Sequence, residues 1–335
     1  MPFGAAQTQH PGSPVPETPR ILAITPNPSL DILFASDGLV WNDANRVPNP
    51  RIRPGGQGVN LARAARTLGA DALVVAPFGG SVGEVLEGAL RAEGILRAVP
   101  IGGQTRVFVE ARDTSAGSLL LNPRGPELSA GEARALEAAA REAISELRPH
   151  FVACCGSLAP GLPVDFYARI GAAARAAGAG FVPDCDGAAL AASAASATVL
   201  APNRHEAGRL LGEPAETVEE AAAAAARLAR SGAASGVARW AAVKLGAEGA
   251  VLAAPGGVWA CAAPPVPRAG SAVGAGDAFL AAMLVALAEG RDAPEVLGRA
   301  VAAGSAVLVG EGTQMIEAGD ARALTRLVQV TLQAG

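Results

Sequence analysis

The sequence between about residues 150 and 245 alternates short apolar runs with stretches of helical length, and this alternation limits the possible folds more than any other feature. The predicted elements are, in order, strand 151–155, helix 164–177, strand 181–184, strand 198–201, helices 204–211 and 218–229, and strand 240–245. Strands connected through helices run parallel, so the pattern predicts an α/β fold with a large central, mostly parallel sheet and helices on both faces. The loops after the carboxyl ends of such strands carry the binding site.

The first half of the sequence extends this sheet but departs from the alternation twice. Its predicted strands and helices are strands 21–25 and 72–78 and helices 82–93 and 128–147. The segment at about 31–54 is rich in Pro and Asn, and the segment at about 104–124 alternates apolar and polar residues. Both patterns are typical of short strands and loops. We therefore expect two excursions of short strands within one domain, 21–335.

A turn of small residues and a carboxylate, Gly274-Ala275-Gly276-Asp277, begins a long apolar helix in the prediction. Glycine allows close approach of a ligand, and a helix start offers unpaired N–H groups and a positive dipole end, so the turn is suited to an anion. Asp277 would repel a phosphate unless it takes a proton from the nucleophile that attacks the phosphate. The motif indicates phosphoryl transfer; the alternative is an acidic residue that only complements the helix dipole.

A second glycine cluster, Gly55-Gly56-Gln57-Gly58, also begins a predicted helix, with Asn60 in its first turn. It is not the dinucleotide-binding fingerprint, because Leu61 stands where the third glycine belongs and no strand ends immediately before the cluster. A tight turn with close packing is the structural alternative.

Composition excludes several classes of protein. A net charge of −4 over 335 residues argues against a general nucleic-acid surface, and no apolar run approaches the ~20 residues of a membrane-spanning helix. Residues 1–20 lack the apolar core of a secretory signal, and their Pro, Gly, Ser and Thr predict a disordered extension and a cytoplasmic protein.

The four cysteines show no C-x-x-C spacing and are predicted to be buried and reduced. Lys244 is the single lysine, so no phosphate-binding G-x-x-x-x-G-K-[ST] loop exists.

Nine motifs occur in an order that resembles the ribokinase-like sugar kinases. They are Thr25-Pro26-Asn27-Pro28 with Asp31, the helix start at 55–60, Thr105-Arg106, Asn122 with Gly125-Pro126, Gly156 to Gly161, Asp184 with Asp186-Gly187, Pro202-Asn203 with Glu206, Leu245 to Gly249, and Gly274 to Asp277. More narrowly, the pattern looks like the phosphofructokinase B branch, which contains 1-phosphofructokinase and tagatose-6-phosphate kinase. The resemblance covers about residues 21–310.

The resemblance implies roles for individual residues. Asp277 matches the catalytic base, and Gly274, Ala275 and Gly276 match the anion hole that stabilises the transferred phosphoryl group. The positions that match contacts to sugar hydroxyls are Asp31, Gly55, Gly56 and Asn60. Arg106 matches the arginine that pairs with the phosphate already on the substrate.

The same comparison implies a nucleotide site. Asn203 and Glu206 match an N-x-x-E element near the magnesium and the nucleotide phosphates, and Gly246 and Gly249 match a turn beside the nucleotide. The implied reaction transfers the γ-phosphoryl group of ATP, with Mg²⁺, to a phosphorylated ketohexose of the fructose 1-phosphate or tagatose 6-phosphate type. The two excursions would form a small β lid, and the lid would form the contact of a homodimer.

Two departures from the family pattern concern lysines. Gln57 stands where the family has the lysine of G-G-K-G, and Ala201 stands where it has the lysine of K-P-N. A phosphate contact is therefore expected elsewhere, with Arg51, Arg53 and Arg124 as candidates.

Alternatives remain at the level of function. A kinase of an unphosphorylated sugar or nucleoside is favoured by Gln57 and opposed by Arg106. A non-catalytic sugar-phosphate-binding protein on a kinase scaffold is favoured by the altered lysines and opposed by the intact Gly-Ala-Gly-Asp.

Alternatives also remain for single residues. Arg106 could be a solvated strand charge, Asn203 and Glu206 have the spacing of a capping box, and Asp184 and Asp186 are read as turn formers outside the site.

Overall fold

The computed structural model describes residues 17–113, 117–234, 240–266, 271–310 and 315–333. Its strands are β1 (Arg20–Ile24), β2 (Ser29–Ser36), β3 (Arg51–Gly55), β4 (Asp71–Phe78), β5 (Leu96–Pro100), β6 (Arg106–Asp113), β7 (Gly117–Leu121), β8 (Phe151–Cys155), β9 (Gly180–Asp184), β10 (Val199–Leu200), β11 (Trp240–Lys244), β12 (Ala250–Ala254), β13 (Gly257–Cys261) and β14 (Val330–Leu332). Its helices are α1 (Gln57–Thr67), α2 (Gly80–Ala92), α3 (Ala130–Leu147), α4 (Phe166–Ala176), α5 (Gly187–Ala194), α6 (Arg204–Leu211), α7 (Val218–Ala234), α8 (Ala275–Ala288), α9 (Ala293–Ala306) and α10 (Ala318–Thr325). Of the segment predicted as a disordered extension, residues 1–16 lie outside the described residues, and β1 already begins at Arg20.

The centre of the fold is a parallel sheet with the strand order β5-β4-β1-β8-β9. Alternate residues of β1 pack on opposite faces: Ile21 and Ala23 join one hydrophobic cluster with α1, α8 and α9, and Leu22 and Ile24 join a second cluster with α3 and α4. A strand buried on both faces explains the continuous apolar run in the sequence. The predicted α/β fold, with helices on both faces of a central parallel sheet, is confirmed.

A second sheet has the order β10-β11-β12-β13-β14. Its β10 runs parallel to β11. On its other side β10 lies next to β9, where the Thr198 N–H donates to the Phe181 carbonyl at 2.8 Å. The pairs from β11 to β14 are antiparallel. Only a short 3₁₀ turn, Gly246–Glu248, joins β11 to β12, and this is too short for the crossover that a parallel pair needs.

A third, four-stranded sheet with the order β3-β2-β6-β7, called the small sheet below, is built from the two excursions. Its strand register aligns residues in rows, and residues of one row share a face. One face carries the row Arg53, Asp31 and Phe108, and the other carries an apolar row of Ile52, Ile32, Val109 and Leu121. The polar face lies toward α8, because Arg53 Nη2 donates to the Val273 carbonyl at 3.3 Å.

Two predictions about the chain as a whole concern membranes and thiols. No helix in the described ranges combines the length and apolar character that crossing a membrane requires. All four cysteines are free and buried, as predicted.

Candidate active site

The start of α8 places a carboxylate beside a glycine turn at the centre of the molecule. Gly274 has φ 93°, a left-handed conformation, and a Cβ there would lie 2.0 Å from Met315 Cε. Glycine is therefore required at this position. Asp277 lies in the first turn and is only 5% exposed, and Asn60 Nδ2 of α1 donates to its Oδ2 at 2.8 Å. The hydrogen bond between Asn60 and Asp277 thus joins the two helices that begin at the two glycine clusters.

The surroundings of Asp277 favour its protonated form more than water would. Burial, reinforced by the negative charge of Asp184, raises the pKa of Asp277 to about 7, while the Asn60 hydrogen bond and the Lys244 charge act in the opposite direction. A base is most effective when its pKa lies near the working pH. Asp277 therefore has the properties of a general base at neutral pH.

Asp184 belongs to this cluster, although the sequence pattern indicated only a turn former. It ends β9 in a buried position, where Lys244 Nζ donates to its Oδ1 at 3.4 Å and its Oδ2 has no hydrogen-bond partner among the described residues. Burial alone would lower the pKa of Lys244, but Asp184, Glu206 and Asp277 raise it, so Lys244 is charged. Asp186, predicted to be a turn former, is the N-cap residue of α5, where its side chain accepts from the Gly187 N–H.

Asp31 lies on the polar face of the small sheet and is buried, with Ser29 Oγ donating to its Oδ1 at 2.7 Å. Burial raises the pKa of Asp31, and the Ser29 hydrogen bond and the Arg53 charge oppose the rise. A Cβ on Gly55 would lie 2.0 Å from Asp31 Oδ1, so glycine makes room for this carboxylate. Gly56, with φ 102°, precedes α1 and accepts the Asn60 N–H at 3.0 Å.

Arg106 is the first residue of β6, and its guanidinium donates to uncharged oxygens. Its Nε and Nη2 donate to the Asn27 carbonyl at 3.1 and 2.9 Å, and its Nη1 donates to the Pro123 carbonyl at 3.1 Å and to Asn122 Oδ1. Within the described residues, no carboxylate lies within ion-pair distance of this guanidinium. Arg106 is therefore a fixed positive charge rather than a freely solvated one.

The three arginines proposed to replace a lysine lie in different places. Arg53 is buried in the row with Asp31 and faces the turn before α8, whereas Arg51 and Arg124 are exposed. The Arg124 carbonyl accepts from Asn27 Nδ2 at 2.8 Å. Of the three, Arg53 donates a hydrogen bond to the loop that leads to Asp277, and Arg51 lines a small cavity together with Ser271 of the same loop.

The N-x-x-E element forms a capping box at the start of α6. Glu206 N–H donates to Asn203 Oδ1 at 2.9 Å, and Asn203 N–H donates to Glu206 Oε2 at 2.8 Å. Burial raises the pKa of Glu206, and the Lys244 charge opposes the rise. Glu206 also lines a cavity of about 350 Å³ together with Gln57 and Gly156. The capping role is thus present, and the Glu206 carboxylate also faces a cavity.

Gly246 and Gly249 form the turn between β11 and β12 with φ of 64° and 101°. A Cβ on Gly249 would lie 2.0 Å from the Cys261 carbonyl. One residue separates this turn from the end of β11 at Lys244, so the turn lies at the same end of the sheet as Asn203, which forms a β-bridge with Lys244.

The geometry joins three neighbouring parts of one site. Asp277, Asn60, Asp184 and Lys244 form the centre, Asp31 and Arg106 lie on the side of the small sheet, and Glu206 lies on the opposite side. A buried base at a helix start can deprotonate a hydroxyl while the helix binds an anion. The fixed guanidinium of Arg106 lies on the side of Asp31. Sequence reasoning missed Asp184 and Lys244; the signal that could have found them is that each is the last residue of a buried strand, β9 and β11.

Comparison with known proteins gives the same assignment. Residues 28–318 match the model of the pfkB family of carbohydrate kinases. The chain is 31% identical to ATP-dependent 6-phosphofructokinase isozyme 2 of Mycobacterium tuberculosis over 95% of this chain and 92% of the relative. It is 33% identical to 1-phosphofructokinase of Rhodobacter capsulatus over 85% of this chain and 89% of the relative.

Among solved structures, the fold is similar to that of phosphofructokinase-2 from Escherichia coli in complex with fructose-6-phosphate. The TM-score is 0.81 at 28% identity, and the match covers 92% of this chain and 99% of that chain. These similarities confirm the resemblance seen in the nine motifs. The chain belongs to the pfkB family of carbohydrate kinases.

Proposed function

We propose that the protein transfers the γ-phosphoryl group of ATP to a hydroxyl of a ketohexose monophosphate, with Asp277 as the general base. The observation that carries this proposal is the buried Asp277 carboxylate, which Asn60 orients at the start of α8 and whose pKa is raised to about 7. The names of the two relatives, 6-phosphofructokinase and 1-phosphofructokinase, support a fructose monophosphate as the acceptor. Fructose 6-phosphate and fructose 1-phosphate are therefore the first substrates to test, followed by tagatose 6-phosphate.

In the proposed reaction, Asp277 takes the proton of the acceptor hydroxyl. The hydroxyl oxygen forms a bond to the γ-phosphorus, the bond from that phosphorus to the bridging oxygen breaks, and its electron pair leaves with ADP. N–H groups at the start of α8 would stabilise the negative charge on the transferred group. Those of Gly274 and Gly276 can do so directly, whereas that of Ala275 donates to the Ala272 carbonyl at 3.1 Å and would have to exchange this bond for the phosphoryl oxygen. The protein supplies position and charge, which is most of what phosphoryl transfer requires.

The small-sheet side of the site is proposed to bind the sugar. Asp31 can accept hydrogen bonds from sugar hydroxyls, and the buried Asn60 Oδ1, which has no partner in the described chain, can accept another. Gly55 and Gly56 allow the sugar to approach the backbone. Arg106, a guanidinium without a paired carboxylate in the described ranges, is proposed to bind the phosphate already on the sugar.

The opposite side is proposed to bind the nucleotide and Mg²⁺. Gly246 and Gly249 would border the nucleotide, and Asn203 and Glu206 would lie near its phosphates. Mg²⁺ usually keeps several waters and binds one or two carboxylates together with substrate phosphates. The unpartnered Oδ2 of Asp184 and the carboxylate of Glu206 fit this pattern, and the described residues contain no larger cluster of metal ligands. Mg²⁺ bound here would neutralise phosphate charge.

The apolar face of the small sheet is proposed to bind a second copy of the chain. Ile52 and Leu121, at the two edges of its apolar row, are 52% and 53% exposed. A homodimer would cover this row, and large exposed apolar patches are typical of such interfaces.

We also place the protein in the cytoplasm, where ATP and sugar phosphates occur.

The test measures ADP release with MgATP across fructose 6-phosphate, fructose 1-phosphate, tagatose 6-phosphate and unphosphorylated ketoses. Asp277→Asn should lower kcat by at least ~10²-fold because the general base is lost. The matched control is Asp320→Asn, since Asp320 also lies in the first turn of a helix, α10, and only complements its dipole. This control should keep wild-type activity.

Three outcomes distinguish the hypotheses. Turnover of one phosphorylated sugar that is lost in Asp277→Asn supports the proposal. Turnover of unphosphorylated sugars alone would favour the other kinase hypothesis and remove the role of Arg106. Binding of a sugar phosphate without turnover would favour a non-catalytic binding protein.

A further inference from the structure

Lys244 is a buried cation among carboxylates, and the proton transfer described above does not use it. It is the only lysine in the chain, which otherwise carries its positive side chains as arginine. It ends β11, and its backbone N–H donates to the Pro202 carbonyl at 2.9 Å. Lys244 therefore lies one strand away from the loop that begins at Ala201 and leads to Asn203.

The ammonium of Lys244 lies against the start of α8. Its Nζ is 3.4 Å from the position that a Cβ on Gly276 would occupy. This is an ordinary van der Waals distance, so the ammonium lies next to the backbone of this turn. The side chain of Lys244 is 15% exposed and is therefore not completely buried. A group bound at the first turn of α8 would thus meet the ammonium as well as the helix N–H groups.

A structural ion pair with Asp184 does not account for this arrangement. The distance from Lys244 Nζ to Asp184 Oδ1 is 3.4 Å, longer than the 2.7–2.9 Å typical of a charge-assisted hydrogen bond. An ammonium has three donors, and this contact is its one hydrogen bond within the described residues. The remaining donors are available to a ligand.

The charges of the site also require a cation here. Asp184, Glu206 and Asp277 all act electrostatically on Lys244, and the phosphates of a nucleotide would add further negative charge. Arg53 interacts with the turn before α8 from the side of the small sheet, opposite Asp31. Among the residues that the structure describes, Lys244 is the cation that approaches the first turn of α8 from the side of Asp184 and Glu206.

We propose that Lys244 binds the terminal phosphates of the nucleotide, with its Nζ donating to oxygens of the phosphoryl group held at the first turn of α8. This inference rests on the proposed kinase function and names a residue that the nine motifs did not assign. Lys244 keeps its proton throughout the transfer and stabilises charge only, so the proton moves from the acceptor hydroxyl to Asp277 as before. A lysine ammonium is a suitable point contact for phosphate.

The experiment measures binding to the full chain by calorimetry, with two probes: the Mg²⁺ complex of a non-hydrolysable imido analogue of ATP, and AMP. Lys244→Met should weaken binding of the analogue by about 10- to 100-fold, the usual range for losing a hydrogen bond to a charged group. It should leave the affinity for AMP within about twofold, because AMP lacks the terminal phosphates. Lys244→Arg, which keeps the charge, should restore part of the affinity.

A second pair of variants separates phosphate binding from neutralisation of Asp184. Lys244→Met leaves Asp184 as an uncompensated buried charge and could unfold the protein. Lys244→Met combined with Asp184→Asn removes both charges, and its reference is Asp184→Asn alone. The double variant should still bind the analogue about tenfold or more weakly than this reference.

Two results would overturn the inference: equal affinity of the double variant and Asp184→Asn for the analogue, or an equal loss of affinity for AMP and the analogue. Failure of the proposed kinase function is a separate result. If the wild-type chain turned over no sugar, the binding comparison would still decide whether Lys244 contacts nucleotide phosphates.

Discussion

At the scale of single residues, two buried carboxylates of the site, Asp31 and Asp277, have different neighbours. Asp31 is hydrogen-bonded by Ser29 and lies beside Arg53, whereas Asp277 lies near Asp184 and accepts a hydrogen bond from Asn60. Burial raises both pKa values, that of Asp277 to about 7, whereas the Ser29 hydrogen bond and the Arg53 charge oppose the rise for Asp31. This difference agrees with Asp31 as a ligand of sugar hydroxyls and Asp277 as the base.

The raised pKa of Asp277 predicts an acid limb in the pH profile of kcat/KM, in which kcat/KM falls as the pH is lowered. Below pH 7 the carboxyl group becomes protonated and cannot accept the hydroxyl proton, so kcat/KM should fall by about tenfold per pH unit at acid pH. Asp184→Asn should move this limb to lower pH, because the negative charge of Asp184 is the largest cause after burial of the raised pKa. The measurement is the pH profile of kcat/KM for both proteins.

The substrates also titrate in this range, since phosphate monoesters have a second pKa of about 6. Their contribution is the same for the wild type and for Asp184→Asn, so the difference between the two profiles isolates the enzyme group. An acid limb that stays at the same pH in Asp184→Asn would show that Asp277 does not control it.

At the scale of elements, the sequence predicted the beginning of α8 because the signal is local. Gly274 to Asp277 lie within one turn, and glycine followed by a carboxylate at the start of an apolar helix can be interpreted without a fold. The pair of Asp184 and Lys244 could not be predicted in this way, because 60 residues separate them and only strand order brings them together. The antiparallel half of the second sheet was missed for a related reason, since the regular alternation of strands and helices ends at β11.

The capping box of α6 allows the structural role of Glu206 to be separated from a role with Mg²⁺. Glu206→Gln keeps an oxygen that can accept the Asn203 N–H but removes the carboxylate charge. We expect the Mg²⁺ concentration for half-maximal activity to rise by about 10- to 100-fold, the range seen when groups that support a metal are changed. The measurement is activity against Mg²⁺ concentration at fixed ATP.

The chain contains a matched control in the capping box of α3, formed by Ser129 and Glu132. Glu132→Gln makes the same chemical change at another helix start and should leave the Mg²⁺ dependence unchanged. If both variants responded alike, Glu206 would be a helix cap and nothing more.

At the scale of the whole molecule, two segments that interrupt the alternation combine into the small sheet. Their composition predicted short strands, but the pairing of β2 with β6 joins residues more than seventy positions apart and cannot be obtained from local pattern. The rows of the small sheet have opposite character. The polar row with Asp31 and Arg53 turns toward α8, and the apolar row from Ile52 to Leu121 turns away from it.

The apolar row predicts the assembly of the protein. Leaving this row in water costs roughly 25 cal/mol for each Å² of apolar surface, so a second copy that covers it should form a homodimer at micromolar concentration. Leu121→Glu and Ile52→Glu each place a charge in the row and should shift the sedimentation coefficient toward that of a monomer. Val85→Glu is the matched control, because Val85 on α2 is 60% exposed but lies outside the small sheet. A wild-type monomer, or dissociation by Val85→Glu as well, would contradict a dimer through the small sheet.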